Sequence, residues 1–205
     1  IADKSEIIYD DKMPRILTTP RYTAYVKVAE GCDNRCAYCV IPLVRGNFRS
    51  RTIESIVAET KNLVKNGVKE INLIAQDTTN YGIDLYGEIK ILDLLKELVK
   101  IEELKWIRLL YCYPKRFTDE LLNFMATEPK ICKYIDLPLQ HAHNDVLKAM
   151  ARQDTKEEIE DLLLRIRKIM PTATIRTSFI VGFPGESIEH YETLKEFIIK
   201  QRCDK

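Results

Sequence analysis

Long apolar runs and a dominant sign of charge are both missing from this sequence of 205 residues. No stretch approaches the roughly 20 apolar residues that a membrane-spanning helix needs, and no signal peptide opens the chain. Lysine and arginine number 32 against 31 aspartates and glutamates, so no strong field is available to attract polyanions. The composition, 45% hydrophobic and 31% charged, is that of an ordinary globular domain. We therefore expect a cytoplasmic protein without a membrane contact.

The two ends of the sequence carry little patterning. Residues 1–20 have scattered charges and two prolines but no apolar periodicity, which is typical of a linker arriving from an upstream segment. The chain begins with Ile1 rather than Met, and it stops at Lys205 without a closing turn. We therefore expect a piece of a longer protein, in which residues 21–205 form one core domain.

Six cysteines are too few to staple a chain that has its own core, and three of them share one short loop. Cys32, Cys36 and Cys39 lie in GCDNRCAYC, where the polar residues between them argue against buried core thiols. A structural zinc site commonly uses two separate Cys-x-x-Cys pairs. Only one such pair is present, so zinc would have to recruit Cys112, Cys132 or a distant histidine. Three thiolates can instead hold three irons of a cubane cluster and leave the remaining iron open.

Short strand patterns alternate with amphipathic helix patterns along the rest of the chain. This alternation predicts an α/β fold with parallel strands joined by right-handed crossovers, either an open doubly wound sheet or part of a barrel. The predicted strands are YTAYVKVAE (22–30), EINLIAQ (70–76), WIRLLYCYP (106–114), YIDLPLQ (134–140) and ATIRTSFIVG (173–182). The predicted helices begin at Thr52, Ile91, Thr118, Thr155 and Ser187.

Unusual residues follow four of the five predicted strands. The cysteine loop follows the first strand, and Gln76 and Asp77 end the second. Gln140 and His141 end the fourth strand, and GFPGE (182–186) ends the fifth. Because the carboxyl ends of parallel strands meet at one edge, we expect these residues to surround one site.

The loop sequence CDNRCAYC resembles the Cys-x-x-x-Cys-x-aromatic-Cys signature of the radical S-adenosylmethionine (SAM) enzymes, with Tyr38 in the aromatic position. The resemblance implies a partial (β/α)6 TIM-like barrel, truncated near a sixth strand expected just after Lys205. It also implies a 4Fe–4S cluster held by Cys32, Cys36 and Cys39, whose open iron binds the amino and carboxylate groups of SAM. An electron from a donor such as flavodoxin or ferredoxin would then cleave SAM and give a 5′-deoxyadenosyl radical.

The same resemblance implies SAM contacts at the other strand ends. IAQDTTNYG stands where the family binds the methionine amine, Gln140 where it contacts the ribose, and IVGFPGE where it contacts the adenine. Arg176 is the candidate partner of the SAM carboxylate. Ordinary structural roles remain open as well: a turn cap for Asp77, a strand-ending turn for GFPGE and an ion pair for Arg176. The candidate cofactor-binding residues are Tyr38, Gln76, Asp77, Gln140, Arg176, Gly182 and Phe183.

Longer phrases resemble the methylthiotransferases within this superfamily. They are YVKVAEGCDNRCAYCVIPLVRGNFRSR, INLIAQDTTNYGIDLYG, IRLLYCYP and IDLPLQHAHNDVLKAMAR, and the resemblance covers nearly everything after Pro20. AQDTTNYG and LLYCYP favour the branch that adds a methylthio group to the β-carbon of an aspartate in small-subunit ribosomal protein twelve. The alternatives are the branch that modifies an adenosine in tRNA and a non-catalytic metal-binding module.

The family resemblance also implies parts that we expect outside this chain. These are an N-terminal domain that holds a second 4Fe–4S cluster and a small C-terminal β-barrel that helps to bind the substrate. The remaining cysteines lie outside any such domain, so we interpret them as core or surface thiols. They are Cys112, Cys132 and Cys203.

Histidines and arginines also lie near the predicted site. The i, i+2 spacing of His141 and His143 favours hydrogen bonding over metal binding, and AHNDVL departs from the family pattern, which weakens the ribose assignment of Gln140. His190 is expected to be solvated on the last helix. An arginine cluster follows the third cysteine, and one hypothesis is that a member contacts substrate or a partner domain, the alternative being a solvated loop. The cluster consists of Arg45, Arg49 and Arg51.

Overall fold

Strands alternate with helices throughout the computed structural model, which describes residues 8–205. The strands are β1 (Thr23–Lys27), β2 (Ala29–Glu30), β3 (Arg49–Ser50), β4 (Glu70–Ile74), β5 (Trp106–Leu109), β6 (Tyr134–Asp136) and β7 (Thr174–Arg176). The helices are α1 (Ile41–Val44), α2 (Ile53–Lys65), α3 (Ile83–Tyr86), α4 (Ile91–Leu98), α5 (Asp119–Thr127), α6 (Asn144–Ala149), α7 (Lys156–Ile169) and α8 (Ile188–Gln201). Two short 3-10 turns, Thr78–Asn80 and Pro114–Arg116, follow β4 and β5.

Five parallel strands lie side by side in the order in which they occur in the chain. β4 pairs in parallel with both β1 and β5, and β6 pairs in parallel with β7. A parallel bridge between Ile107 and Ile131 and a hydrogen bond of 3.0 Å from Cys112 N to Asp136 O join the two groups. A doubly wound sheet reverses its strand order at a switch point. This order does not reverse, so the strands form an arc of a barrel, which confirms the predicted fold class.

The last residues of the chain lie along the outer edge of β7. Asp204 N donates to Ile175 O at 2.9 Å, and Thr177 N donates to Lys205 O at 2.9 Å. This edge is where the next strand of the arc would pair. The sixth strand expected after Lys205 stays a prediction.

The predicted helices are all present, and most begin at a side chain that caps their first turn. Thr52 accepts a hydrogen bond from Ser55 N, and Thr155 forms a complete capping box with Glu158. These contacts satisfy backbone donors that the first turn of a helix leaves free. The apolar faces of the helices pack against the strands in one buried core, which includes Ile56, Leu63, Ile71, Leu73, Leu94, Leu98, Ile107, Leu109, Leu122, Leu163 and Ile166.

The strands are shorter than predicted, and several short elements were missed. The predicted strand 22–30 divides at Val28, because β2 leaves the parallel sheet and pairs antiparallel with β3. The strand predicted over 134–140 ends at Asp136, before Pro138, which has no N–H to donate. Helices α1, α3 and α6 have four to six residues, too few to show a periodic apolar pattern.

The predicted linker, residues 1–20, is described only from residue 8, and residues 1–7 lie outside the described range. Residues 8–20 form no helix or strand. They do lie against α2, where Arg15 forms an ion pair of 2.5 Å with Glu59. Across residues 8–205, no helix combines the length and the apolar character needed to cross a membrane.

Candidate functional site

The three loop cysteines line one open cavity of about 450 Å³ at the carboxyl ends of the parallel strands. A larger cavity of about 760 Å³ lies between residues 9–17 and α2, and no cysteine lines it. Of these two cavities in the described part of the chain, the smaller one combines thiols with strand-end polar groups. Its lining consists of Lys27, Cys32, Asn34, Cys36, Tyr38, Cys39, Ile41, Ile74, Ala75, Gln76, Tyr111, Cys112, Tyr113, Pro138, Gln140 and Arg152.

The hairpin β2–β3 holds the start of the cysteine loop in place. Gly31 has φ +80°, and a Cβ there would lie 2.1 Å from Asn47 O, so only glycine fits this close approach. Asp33 accepts a hydrogen bond of 3.2 Å from Phe48 N. Ala37 N, in the middle of the loop, donates to Met150 O at 2.9 Å. The loop is thus anchored at both the hairpin and the end of α6.

A buried carboxylate after β4 ties the cysteine loop to two further segments. Asp77 is 1% exposed and accepts hydrogen bonds from Asn34 Nδ2 at 2.9 Å and from Arg116 Nε at 3.0 Å. Arg116 also donates to Asn34 Oδ1 at 3.1 Å. Within its own turn, Asp77 accepts from Thr79 Oγ1 at 2.8 Å and from Asn80 N at 3.2 Å. The carboxylate therefore caps a turn and fixes the loop, which is the structural role left open for it by the sequence.

Gln76, next to this carboxylate, offers a free acceptor at the cavity. Its Nε2 donates to Glu30 Oε1 at 3.4 Å. Its Oε1 is buried and accepts no hydrogen bond from any residue in the described part of the chain. Because an unpaired buried acceptor is costly, this oxygen is suited to a ligand that donates a hydrogen bond.

Backbone strain is concentrated around the cavity. Of the five non-glycine residues with positive φ in the described chain, Tyr111 (φ 58°) and Gln140 (φ 72°) line the cavity. Arg35 (φ 51°) lies between two of the loop cysteines, and Ala151 (φ 53°) precedes the lining residue Arg152. Such conformations cost on the order of 1–2 kcal/mol each, and they cluster at functional sites, where the surrounding structure holds them in place.

The three loop thiols differ in exposure. Cys32 is buried, whereas Cys36 and Cys39 are half-buried. Burial raises the pKa of the Cys32 thiol, and the nearby charge of Asp77 adds to the shift. A bound cation would oppose this shift, because metal binding displaces the thiol proton and neutralises the thiolates.

Four of the predicted cofactor-binding residues lie outside the cavity lining. Two of these four residues are Asp77 and Arg176. Arg176 instead forms an ion pair of 2.8 Å with the buried Asp136. Asp136 also accepts a hydrogen bond of 3.0 Å from Tyr111 N. This ion pair is the structural role that the sequence analysis left open for Arg176. The structure thus brings together Cys32, Cys36, Cys39, Tyr38, Gln76 and Gln140, and not Asp77, Arg176, Gly182 and Phe183.

Glu186 fixes the GFPGE segment, which includes Gly182 and Phe183, through hydrogen bonds. Its Oε2 accepts hydrogen bonds from Gly182 N at 2.6 Å and from Phe183 N at 3.0 Å. Its Oε1 lies 3.3 Å from Nε2 of the fully buried His141. This contact fixes the GFPGE segment to His141, which directly follows Gln140 at the end of the predicted strand 134–140. The hydrogen-bonding role expected for His141 is therefore observed.

The other two histidines cap helices, and His190 is partly exposed to solvent on α8. His143 Nδ1 accepts from Asp145 N at 3.2 Å at the start of α6, and His190 Nδ1 accepts from Ser187 N at 3.2 Å at the start of α8. Their rings are in contact, with centroids 4.1 Å apart. His190 is half-buried because it closes its own capping box and packs on His143.

The arginines after the third cysteine have separate roles. Arg51 is buried and forms an ion pair of 2.5 Å with Glu59, so the expectation of a solvated or substrate-contacting side chain was wrong for it. Arg49 donates to Arg45 O at 3.0 Å and so closes the loop on itself. Arg45 is exposed and lies 3.8 Å from Glu30. The substrate-contact hypothesis stays a prediction for Arg45.

Among the lining residues that sequence reasoning did not assign to the site are Cys112 and Arg152. Cys112 was interpreted as a core or surface thiol, and it is indeed part of the buried core, at the cavity wall. Cys112 follows the end of β5, and Arg152 follows the end of α6. In such turns the sequence pattern does not indicate which way a side chain points. Cys132 and Cys203 lie outside the cavity lining, as expected.

Comparison with known proteins agrees with the signature in the cysteine loop. The family model for the radical SAM superfamily matches residues 26–198. The chain belongs to the radical SAM superfamily. The predicted resemblance is thereby confirmed, and the match spans the cysteine loop and all five parallel strands except the start of β1.

Two curated relatives refine this membership. The ribosomal protein uS12 methylthiotransferase RimO of Desulforamulus reducens is 61% identical over 198 residues, which is 97% of this chain and 45% of the relative. The protein of the same name from Heliobacterium modesticaldum is 53% identical over 202 residues, or 98% of this chain and 44% of the relative. The chain therefore spans less than half the length of these relatives.

Two solved structures share the fold. The methyltransferase TsrM from Kitasatospora setae matches with a TM-score of 0.72 at 18% identity, over 93% of this chain and 38% of that protein. Methylornithine synthase (PylB) matches with a TM-score of 0.60 at 16% identity, over 89% of this chain and 51% of that protein. Both likenesses support the barrel arc described above.

The close approach at Gly31 gives a first prediction. We expect Gly31→Ala to bind much less iron and sulfide than the wild type after anaerobic reconstitution, because its Cβ would displace Asn47 and the cysteine loop. Gly67→Ala is the matched control, since Gly67 also has positive φ (+99°) but no atom within 4 Å of the new Cβ. Iron per folded chain, with folding checked by circular dichroism, measures the effect. Equal iron in both variants would contradict the role given to Gly31.

The burial of His141 gives a second prediction. Burial lowers the pKa of His141, and His143 and His190 add to the shift while Glu186 opposes it. As the pH falls below about 6.5, the unfolded chain therefore binds the proton first, and the stability that neutral His141 contributes is lost. We expect the free energy of unfolding of the wild type to fall more steeply below about pH 6.5 than that of His141→Asn. Urea titrations across this range measure it, and parallel profiles would contradict the assignment.

Proposed function

We propose that this chain is the core of a methylthiotransferase that adds a methylthio group to the β-carbon of an aspartate in ribosomal protein uS12. In this proposal the three loop cysteines hold a 4Fe–4S cluster, and the open iron binds SAM. The observation that carries it is the meeting of Cys32, Cys36 and Cys39 with Gln76 and Gln140 in one cavity. The names of the two curated relatives support the substrate.

The thiols that line the cavity fit a cluster with one open iron. A fourth sulfur, Cys112, is present, but burial raises its pKa well above the ordinary value, and the charges of Asp77 and Asp136 add to the shift. Cys112 also lies in the turn after β5, outside the loop that carries the other three cysteines, and its N–H donates to Asp136 O at 3.0 Å. The proposal therefore takes the three loop cysteines as the ligands of the cluster.

The spacing of the cysteines fits a cluster better than a zinc ion. Tetrahedral zinc holds its thiolates about 2.3 Å from the metal, and so about 4 Å from one another. In the described part of the chain, three candidate ligand atoms lie mutually within 4.8 Å only at His143, Asp145 and His190. The three loop thiols are not among these groups, so in the described structure they do not all lie close enough together to share one zinc ion.

The residues around the cysteines can bind and orient SAM. When bound, the cluster and SAM together supply a 5′-deoxyadenosyl radical for hydrogen abstraction. The free Oε1 of Gln76 can accept a hydrogen bond from the ammonium group of SAM. Gln140 lines the cavity from a strained backbone whose N–H donates to Ser178 O at 2.9 Å, so its position is fixed before the ligand arrives. Ile41, Ile74 and Pro138 give apolar walls that exclude water.

Complete methylthio transfer requires more protein than this chain. The proposal therefore includes an additional N-terminal domain with a second 4Fe–4S cluster, a substrate-binding β-barrel, and an electron donor such as flavodoxin or ferredoxin. It also places the protein in the cytoplasm, where ribosomes are made. This division of labour follows from the resemblance to the family, and the core described above would supply SAM cleavage.

Mass spectrometry of the ribosomal protein provides the test. We expect uS12 from cells that produce the full-length protein to carry the mass of one methylthio group, and uS12 from cells with Cys36→Ser to lack it. Cys203→Ser is the matched control, because Cys203 is also half-buried but lies outside the cavity. If uS12 were unmodified in cells with the wild-type gene while a tRNA adenosine carried the group, the tRNA branch would replace this proposal.

A further inference from the structure

Arg152 is a buried cation at the wall of the cysteine cavity. Its side chain is only 4% exposed, and it lines the cavity together with the three loop cysteines. It lies in the turn after α6, directly after the strained Ala151. Burial of a guanidinium is costly unless it is well paired, so the contacts of Arg152 indicate what it is there to stabilise.

Protein groups satisfy Arg152 only in part. Its Nη2 donates to Asp154 Oδ2 at 2.9 Å and lies 3.4 Å from Pro138 O. The guanidinium lies over the ring of Tyr113 at 4.3 Å, in a cation–π contact. Its buried Nε, however, donates to no acceptor among residues 8–205. One donor of a buried cation at the cavity is therefore left for another negative or electron-rich group.

The two members of the Arg152–Asp154 ion pair line different cavities. Arg152 lines the cysteine cavity, whereas Asp154 lines a separate cavity together with Pro114 and Leu162. The positive member of the pair thus borders the cavity of the thiols, and the negative member does not. Tyr38, the aromatic residue of the cysteine signature, interacts with both Arg152 and Cys36 and connects the cation to the loop.

Arg152 keeps its charge in this setting. A guanidinium does not lose its proton in proteins, and Asp154 pairs with it at 2.9 Å. A fixed cation in a low-dielectric wall interacts strongly with negative charge nearby. A cluster held by three thiolates is such a charge, and it gains one more negative charge on reduction.

We propose that Arg152 is a positioning residue that places a fixed positive charge against the iron–sulfur group held by the three cysteines and so raises the reduction potential of that group. The inference rests on the proposed function, because it assumes a redox-active cluster in the cavity. The electron added on reduction is stabilised by the cation, and no bond is made or broken by Arg152. Net charge and hydrogen bonds to the sulfurs are the factors by which proteins adjust such potentials.

Redox titration of the reconstituted full-length protein, followed by electron paramagnetic resonance without SAM, tests the inference. We expect Arg152→Gln to shift the midpoint potential to more negative values and Arg152→Lys to stay near the wild type. Arg108→Gln is the matched control, because Arg108 also lies over a tyrosine, Tyr134 at 4.8 Å, and pairs with Glu70, but lies outside the cavity. We expect no shift in this control.

A second variant keeps the inference testable if Arg152→Gln fails to fold. Asp154→Asn removes the negative charge but keeps the shape of the side chain, so we expect the midpoint potential to become more positive. An unchanged potential in a folded Arg152→Gln protein, or in Asp154→Asn, would overturn the inference. So would an unchanged potential combined with weaker SAM binding, because that result assigns Arg152 to SAM instead. If the wild type itself bound no iron, the proposed function would fail instead.

Discussion

The buried carboxylate of Asp77 is the contact on which the site depends. The cysteine loop has almost no regular secondary structure, so hydrogen bonds from elsewhere must fix its shape. Asp77 supplies them by holding Asn34 of the loop at 2.9 Å and Arg116 of the neighbouring strand end at 3.0 Å. Since both partners also contact each other, the loop, the end of β4 and the turn after β5 form one unit. Iron ligands that must adopt one geometry need such support from surrounding groups.

The same arrangement recurs at the next strand ends. Asp136, at the end of β6, is buried and joins Tyr111 after β5 to Arg176 of β7. Glu186 joins the GFPGE segment to His141. Acidic side chains thus connect successive strands around the mouth of the barrel arc, and they do so with charges that are paired and hydrogen-bonded, as buried charges require. These contacts fix the segments around the cavity, whose strained residues are held in place by the surrounding structure.

Sequence pattern predicted the fold and the centre of the site, and it failed where tertiary contacts decide the outcome. Periodicity and capping located the long helices, and strand-end placement brought Gln76 and Gln140 to the cysteines. The sequence pattern could not show that Asp77 and Arg176 already have protein partners, because those partners are distant in sequence. Arg51 was taken for a loop residue although it is buried and pairs with Glu59 of α2, because local pattern does not show that the segment after β3 packs its side chain against this helix. The positions of Cys112 and Arg152 at the cavity were not predicted, because the direction of a side chain into a cavity is set by the barrel and has no local sequence signal.

The central claim is that three cysteines leave one iron of the cluster open for SAM. Mössbauer spectroscopy of the full-length protein, with isotopically enriched iron in this cluster, measures it most directly, before and after SAM is added. We expect the signal of a single iron to change on addition of SAM while the other irons keep theirs, in the wild type and equally in Cys112→Ala. A spectrum that SAM leaves unchanged, or a cluster that loses iron in Cys112→Ala, would show that the fourth position is held by the protein and would contradict the claim.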